Sequence, residues 1–284
     1  MNNFSEHSLP TFSPCRITLS ALWLLLLFGT WHYTYANSAS VSEITATPAL
    51  DHTNAKDTLP RKEGNSEWWR DKNKNTIIVF VHGINGDSSG TWTNIATGAI
   101  WPELLVHDEA FADADVLSYG YNGRPSEPDL LINELAAQMH DSFVRWGVFK
   151  RDGILFVAHS MGGLVVRQMM LLPHSDQIVR RISCLFLLAT PHLGSDLANV
   201  VRYFFHDPAL EQLGLHGRGS FCNNLIQDYL RAGFDTPCYA AYETRPTYGV
   251  TIVSSEAAMV LSNGEPLAVE ADHIQITPTE GHEC

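Results

Sequence analysis

The fold is decided by one short stretch, Ala158-His159-Ser160-Met161-Gly162-Gly163. The apolar run Ile154–Val157 before it predicts a strand, and the segment Leu164–Leu172 after it predicts a helix that ends at Pro173. The chain must therefore turn sharply from strand to helix, which requires small residues where the two backbones approach. Ser160 lies at the apex of this turn, where a strained backbone would expose its hydroxyl above the sheet.

A serine at this apex is suited to nucleophilic catalysis, although a serine that merely caps the helix is the alternative. The helix points its amino-terminal N–H groups at the same spot, so the Met161 amide would meet a developing oxyanion without rearrangement. The loop His82-Gly83-Ile84-Asn85-Gly86 follows an earlier strand, and we expect the Ile84 amide to be the second donor. The usual pattern is Gly-x-Ser-x-Gly, and Ala158, which replaces the first Gly, is small enough for the turn.

Short apolar runs and helical periods alternate on both sides of this turn. The other predicted strands are Thr76–Val81, Asp115–Tyr119, Ile182–Leu188, Tyr239–Tyr242 and Val250–Val253. Apolar residues at four-residue spacing between Leu130 and Phe143 predict an amphipathic helix. This order predicts an α/β fold with a doubly wound, mostly parallel sheet and helices on both faces. The stretch Asp196–Phe234 leaves room for only a small cap, in which Tyr203, Phe204 and Phe205 offer apolar surface.

Four stretches of the chain together resemble the serine-active-site-containing protein family and its relatives among lipase-like α/β hydrolases. They are Phe80-Val81-His82-Gly83 with Thr91-Trp92 and Trp101-Pro102; Val157–Val166; Ala189-Thr190-Pro191-His192-Leu193-Gly194-Ser195; and Glu243-Thr244-Arg245-Pro246-Thr247 followed by Ile252-Val253 and Asp272-His273. The resemblance implies the α/β-hydrolase fold and ester chemistry on lipids or other acyl compounds. Because some members of the family are implied to transfer acyl groups in phospholipid remodelling, the resemblance also allows this activity.

The general base must be chosen among 13 histidines. In α/β hydrolases the chain order is serine, acid, histidine, with the histidine on a loop after the last strand. Only His273 and His282 lie far enough along the chain, and His282 stands in a polar tail. We therefore predict that His273, whose place matches the Asp-His of the family, is the base.

Two carboxylates are candidates for the acid that orients His273. Glu243 ends the predicted strand Tyr239–Tyr242, and Glu256 follows the predicted strand Val250–Val253. The acid is expected where the penultimate strand ends, which favours Glu243 and leaves Glu256 as the alternative. Its role would be to fix the tautomer of His273 and to stabilise the imidazolium.

The amino-terminal part of the chain is typical of a targeting segment. Arg16 precedes the apolar run Ala21–Phe28, and small residues follow it, so residues 1–36 are predicted to be a signal peptide or a signal-anchor. Residues 37–75 are predicted to be a polar linker, and residues 76–284 the hydrolase domain. The domain is therefore expected to be exported, periplasmic or secreted, or anchored to a membrane outside the cytosol. In an oxidising compartment Cys222 and Cys238 are candidates for a disulfide.

The composition bears on partners and cofactors. With 18 basic and 31 acidic residues the formal net charge is −13, which argues against nucleic acid as a partner. The sequence has no metal-binding motif and no glycine-rich phosphate loop, so we predict neither a metal nor a cofactor. The expected substrate is an acyl ester or a lipid. An acyltransferase with the same nucleophile and a non-catalytic interaction protein that keeps the fold are the alternatives.

Overall fold

A computed structural model describes residues 59–122, 132–173, 176–196, 199–200 and 221–277. In this part of the chain eight strands form one sheet, in the order β1-β2-β4-β3-β5-β6-β7-β8. The strands are β1 (Arg61–Glu63), β2 (Ser66–Arg70), β3 (Thr76–Val81), β4 (Ala114–Tyr119), β5 (Gly153–His159), β6 (Ile182–Leu188), β7 (Cys238–Glu243) and β8 (Leu267–Val269). Strands β3 to β8 pair in parallel, and β1 and β2 add an antiparallel edge next to β4.

Helices connect the parallel strands, as a doubly wound sheet requires. They are α1 (Trp101–His107), α2 (Ile132–Trp146), α3 (Met161–Met170), α4 (Asp176–Val179), α5 (221–232) and α6 (Ser255–Met259). The predicted fold class, an α/β-hydrolase fold with a mostly parallel sheet, is confirmed. The proposed cap residues Tyr203, Phe204 and Phe205 lie outside the described residues.

Strand β3 shows that both faces of the sheet are covered. Side chains alternate between the two faces of a strand. Ile77 and Val79 belong to the main core cluster, together with residues of α2 and α3. Phe80 points to the opposite face, where its ring packs edge-on against Trp92 at 4.9 Å and Trp101 at 5.5 Å between ring centroids. A strand buried on both faces explains the continuous apolar run.

The parallel strands all end at one edge of the sheet. The carboxyl ends of β3, β5 and β8 lead into the loops that contain Ile84, Ser160 and His273, respectively, and Glu243 is the last residue of β7. Because parallel strands run in the same direction, these loops meet at a single edge. The topology therefore brings the four sequence-predicted positions together although nearly two hundred residues separate the first from the last.

The sheet begins earlier in the chain than the predicted boundary at residue 76. Residues 61–70, predicted as part of a polar linker, form strands β1 and β2. Trp68 and Trp69 of β2 are buried, and Glu67 pairs with Ser118 in β4. Strands β1 and β2 were not predicted because a short antiparallel edge strand does not need a continuous apolar run.

The predicted strand Val250–Val253 is not formed. Thr247 and Val250 make an isolated antiparallel bridge, and the chain then bends into α6. Ile252 and Val253 are buried, which explains their apolar character without a strand. The place beside β7 is taken by β8, which pairs with it in parallel through Leu267–Val269.

The candidate disulfide between Cys222 and Cys238 is not formed. Cys184, Cys222 and Cys238 are buried free thiols. The Cys238 sulfur accepts a hydrogen bond from Nη2 of Arg167 at 3.0 Å, and the Cys222 thiol donates to the Pro191 carbonyl at 3.8 Å. Each thiol therefore serves as a small buried side chain of the core.

The predicted signal peptide or anchor, residues 1–36, lies outside the described residues. Within the ranges that are described, no helix is both long enough and apolar enough to cross a membrane.

Candidate active site

Ser160 occupies the predicted turn between β5 and α3. Its backbone has φ 52° and ψ −127°, a region that a residue other than glycine rarely adopts. Such a conformation costs about 1–3 kcal/mol and persists only where the surroundings hold it. The Ser160 amide donates to the Leu188 carbonyl at 2.8 Å, and the Ser160 carbonyl accepts from the Gly163 amide at 3.1 Å. These bonds hold the hydroxyl at the carboxyl edge of the sheet.

Glycine is required where neighbouring backbones approach the serine. A Cβ at Gly162 would lie 2.6 Å from the Val81 carbonyl oxygen, and a Cβ at Gly83 would lie 2.8 Å from Cβ of Ser160. Real Cβ atoms do not come this close, so the loop after β3 can reach the serine only with glycine at these positions. Ala158, in contrast, lies within β5 opposite Val81 and Leu187. Its methyl group is therefore accommodated in place of the usual glycine.

The structure brings Ser160, His273 and Glu243 together. Nε2 of His273 lies 2.9 Å from Oγ of Ser160, and Nδ1 of His273 lies 3.5 Å from Oε1 of Glu243. All three residues are at most 1 % exposed. The second distance exceeds a normal hydrogen bond. The order serine, acid, histidine along the chain is that of the α/β hydrolases.

Of the two candidate acids, only Glu243 lies at the histidine. Glu243 is the last residue of β7, and its Oε1 accepts a hydrogen bond from the Val253 amide at 2.6 Å. Glu256 stands in the first turn of α6, where its side chain is exposed and accepts from the Ser255 hydroxyl at 3.2 Å. The strand over residues 250–253 that would have carried Glu256 to the site is not formed.

The two expected oxyanion donors lie on opposite sides of the serine. Met161 opens α3, so its amide precedes the first intrahelical hydrogen bond. Ile84 follows Gly83, whose α-carbon packs against Ser160, and a bond from the Gly86 amide to the Gly83 carbonyl at 3.2 Å closes the turn. Both amides therefore belong to segments that border Ser160.

His82 fixes the loop that contains Ile84. Its Nδ1–H donates to the Gly83 carbonyl at 2.7 Å, and its Nε2 accepts from the Tyr121 amide at 3.2 Å. The Tyr121 hydroxyl donates to the His82 carbonyl at 2.7 Å. Burial lowers the pKa of His82 to about 4, so the ring is neutral in this tautomer at neutral pH. His82 and Tyr121 thus fix the conformation of this loop.

Three buried histidines predict that the protein loses stability in mild acid. Burial lowers the pKa of His82 to about 4 and that of His159 to about 3, and it holds the pKa of His192 well below 6.5. Below about pH 6.5 the unfolded chain takes up protons that the folded protein does not, so the free energy of unfolding falls as the pH falls. Each histidine contributes about 1.4 kcal/mol per pH unit in this window.

We therefore expect the free energy of unfolding in urea to be lower at pH 5.5 than at pH 7.5 by about 4 kcal/mol. His192→Phe should remove roughly a third of this difference, because one of the three groups is gone. Burial raises the pKa of Asp115 and Asp196, which acts in the opposite direction at lower pH. Equal stability at the two pH values would contradict neutral burial of these rings.

Two residues that sequence reasoning did not assign to the site contact the backbone of His273. The Thr247 hydroxyl accepts from the His273 amide at 2.9 Å. Nε2–H of His159 donates to the His273 carbonyl at 2.8 Å. Both residues stand in motifs that carried the family resemblance, but no local pattern shows that they meet His273.

Comparison with curated proteins identifies relatives that agree with the resemblance seen in the motifs. Protein SERAC1 of Bos taurus is 28% identical over 237 residues, which cover 70% of this chain and 35% of that protein. Protein SERAC1 of Homo sapiens is 27% identical over 237 residues, with the same coverage of 70% and 35%. The chain thus spans about a third (35%) of the length of these relatives.

Solved structures show more distant similarity. The mature form of Bacillus licheniformis lipase BlEst2 is 17% identical, with a TM-score of 0.48, and the match covers 75% of this chain and 89% of that one. MGS-MChE2, an alpha/beta hydrolase from a sediment metagenome of the lagoon of Mar Chica, Morocco, is 13% identical, with a TM-score of 0.48 and coverage of 77% and 90%.

A family model matches residues 40–204, more than half of the chain. The matched segment includes β1 to β6 and the turn that carries Ser160. The chain belongs to the family described as "Domain of unknown function (DUF7379)".

Proposed function

We propose that this protein is a serine hydrolase that cleaves acyl esters through an acyl-enzyme on Ser160. The observation that supports it is the buried series Glu243, His273 and Ser160, with 2.9 Å between Nε2 of the histidine and Oγ of the serine. A serine hydroxyl is a weak nucleophile until an adjacent base takes its proton. Here a base stands within hydrogen-bond distance, and a carboxylate stands behind the base.

The geometry accounts for each step of acyl transfer. Oγ of Ser160 attacks the ester carbonyl while its proton moves to Nε2 of His273. The carbonyl oxygen becomes an oxyanion, which the amides of Ile84 and Met161 would bind. The imidazolium then returns the proton to the leaving alcohol, and the acyl group stays on Ser160. In the second half, His273 takes a proton from water as the water attacks the acyl-enzyme. The imidazolium then returns the proton to Oγ of Ser160 as the bond to the acyl group breaks and the acid is released.

Glu243 would supply charge and orientation. With Nε2 of His273 facing the serine, Nδ1 must carry the proton, and the Glu243 carboxylate is the group on that side. The Val253 amide holds Oε1 in place, so the carboxylate does not have to reorganise during the reaction. Burial of the three residues strengthens the interaction between the carboxylate and the imidazolium.

The same residues would serve an acyltransferase, in which an alcohol replaces water in the second half-reaction. The family resemblance implies this alternative for phospholipid remodelling. Product analysis distinguishes the two. Short-chain and long-chain p-nitrophenyl esters should release free acid from the hydrolase, whereas an added lysophospholipid would receive the acyl chain in the transferase.

Reaction with a fluorophosphonate probe tests the proposal directly, because the probe modifies only activated serines. We expect mass mapping to place the adduct on Ser160. A folded protein that neither reacts with the probe nor hydrolyses any ester would favour the non-catalytic alternative.

We also propose that the domain is exported, on the basis of the apolar run Ala21–Phe28 after Arg16. Amino-terminal sequencing of the fractionated protein tests this proposal. An intact Met1 in the cytosolic fraction would contradict it, whereas an uncut chain in the membrane fraction would favour the anchor over the cleaved signal.

A further inference from the structure

We infer that His159 and Thr247 are positioning residues that hold His273 against Ser160 through hydrogen bonds to the carbonyl and the amide of its backbone. The Thr247 hydroxyl accepts from the His273 amide at 2.9 Å, and Nε2–H of His159 donates to the His273 carbonyl at 2.8 Å. We call this pair the backbone clamp. The inference rests on the proposed function, because it assumes that His273 is the base.

The clamp compensates for the lack of regular structure around the base. His273 lies in a stretch of turns after β8, where no strand or helix fixes its position. A catalytic side chain must be held within about half an ångström of the productive geometry. A loop residue meets this requirement only if the surroundings fix its backbone. Here the amide and the carbonyl of the same residue each have a buried side-chain partner.

The first half of the clamp continues a series of bonds between two loops. The Thr244 amide donates to the Val269 carbonyl at 2.9 Å, and the Arg245 amide donates to the Ala271 carbonyl at 3.0 Å. Pro246 has no N–H and interrupts this series. The Thr247 hydroxyl then makes the next connection, and it aligns the loop of the base with the segment that follows Glu243.

Thr247 is itself held firmly enough to serve as a fixed point. Its amide donates to the Val250 carbonyl at 2.9 Å, and the Val250 amide donates back to the Thr247 carbonyl at 3.1 Å. Tyr248 and Gly249, the two residues between them, have φ values of 47° and 81°, which is typical of a tight hairpin turn. The threonine side chain is buried, so its hydroxyl keeps one direction.

The second half of the clamp fixes the position of His273 relative to Ser160. His159 is the last residue of β5 and immediately precedes Ser160, so its ring moves with the serine. Because a carbonyl oxygen can only accept, Nε2 of His159 must carry the proton. The ring centroids of His159 and His273 lie 5.1 Å apart. Burial lowers the pKa of His159 to about 3, so it stays neutral beside an imidazolium at His273.

The hydrogen bond of the buried His192 provides a comparison in which the role is purely structural. Nδ1–H of His192 donates to the Ala257 carbonyl at 3.1 Å, away from the backbone of His273. Removal of either bond should cost stability to a similar extent, since each joins a neutral ring to a backbone carbonyl. Only removal of the His159 bond should slow the reaction.

The first test uses matched substitutions at Thr247. Thr247→Val keeps the shape but removes the acceptor, and Thr247→Ser restores it. We expect Thr247→Val to lower kcat and the rate of fluorophosphonate labelling by about tenfold to 10²-fold with KM unchanged, because a small misplacement of the base acts on the chemical step. Thr247→Ser should recover most of both rates. The control Thr244→Val removes a hydroxyl bond to the Val269 carbonyl in the same segment and should leave both rates within about twofold.

The second test uses His159. His159→Phe keeps a buried ring without the donor, and His159→Gln places an amide N–H near the position of Nε2. We expect His159→Phe to slow labelling about as much as Thr247→Val, and His159→Gln to recover part of the rate. His192→Phe is the control, with stability lowered and the labelling rate unchanged. Urea unfolding of each variant shows that the assays are made on folded protein.

The outcomes separate the clamp from the proposed function. Wild-type protein that does not label at Ser160 would overturn the proposed function, and the inference with it. If the wild type labels at Ser160, and Thr247→Val and His159→Phe both keep the labelling rate of the wild type, the clamp alone is overturned. Slower labelling of His192→Phe to the same extent as His159→Phe would also overturn it, because the effect would then follow stability.

Discussion

Ser160→Ala should abolish labelling by a fluorophosphonate probe and lower kcat for ester hydrolysis by about 10³-fold or more. The substitution removes the atom that would form the acyl-enzyme, and it leaves Glu243 and His273 in place. In this variant water would have to attack the ester carbonyl directly, without an acyl-enzyme intermediate. A residual rate from the oxyanion donors and substrate binding is therefore all that should remain.

Ser195→Ala is the matched control, because Ser195 lies in a short helical stretch after β6, and its hydroxyl donates to the neighbouring Asp196 at 3.5 Å. Its labelling and kcat should equal those of the wild type. Normal labelling of Ser160→Ala, with the adduct mapped to another serine, would show that Ser160 is not the nucleophile.

The strands buried on both faces could be predicted from the sequence. Thr76–Val81 and Ile182–Leu188 have the predicted bounds, because a central parallel strand needs a continuous apolar run that polar residues interrupt sharply at each end. Strand β5 and helix α3 were also predicted, apart from one to three residues at their ends. The largest difference lies at the turn, where helix α3 begins directly at Met161, three residues before the predicted start.

The short elements at the edges could not be predicted in the same way. Strands β1 and β8 have three residues each, too few for any period to be visible. Val250–Val253 shows the converse error. Ile252 and Val253 face the interior and do not lie in the sheet, and burial alone produces the same pattern as a strand.

The candidate site was predictable to the extent that chain order and strand ends determine it. Ser160 follows β5 directly and Glu243 ends β7, and the structure places His273 within reach of both. Thr247 and His159 were not predictable as partners of His273. Each makes its contact through a side chain and a backbone atom 26 or 114 residues away, and no local pattern encodes such a contact.

Glu243→Gln should lower kcat by about 10²-fold to 10³-fold while the protein stays folded. The loss of a carboxylate behind a catalytic histidine costs on the order of 10⁴-fold when the histidine takes the wrong tautomer. Here the Val253 amide donates to Oε1 at 2.6 Å, so the glutamine should turn its oxygen, not its NH₂ group, toward Val253 and His273. The tautomer is then preserved, and only the negative charge is lost. A loss of 10²-fold to 10³-fold corresponds to a barrier raised by about 2.7–4.1 kcal/mol.

Glu256→Gln provides the control, because both carboxylates lie between the serine and the histidine in the chain but only Glu243 contacts the imidazole. Glu256 is exposed, and its substitution should change kcat by no more than about twofold. The reverse ranking would assign the acid to Glu256 and would require the loop after β7 to rearrange when substrate binds. A loss near 10⁴-fold for Glu243→Gln would mean that the amide turns its NH₂ group toward His273 and forces the wrong tautomer. Val253→Pro, which removes the amide that orients Oε1, distinguishes the two cases when it is combined with Glu243→Gln. If the tautomer is wrong, the double variant should be no slower than Glu243→Gln in kcat or in labelling. If the tautomer is preserved, the double variant should be slower than Glu243→Gln alone.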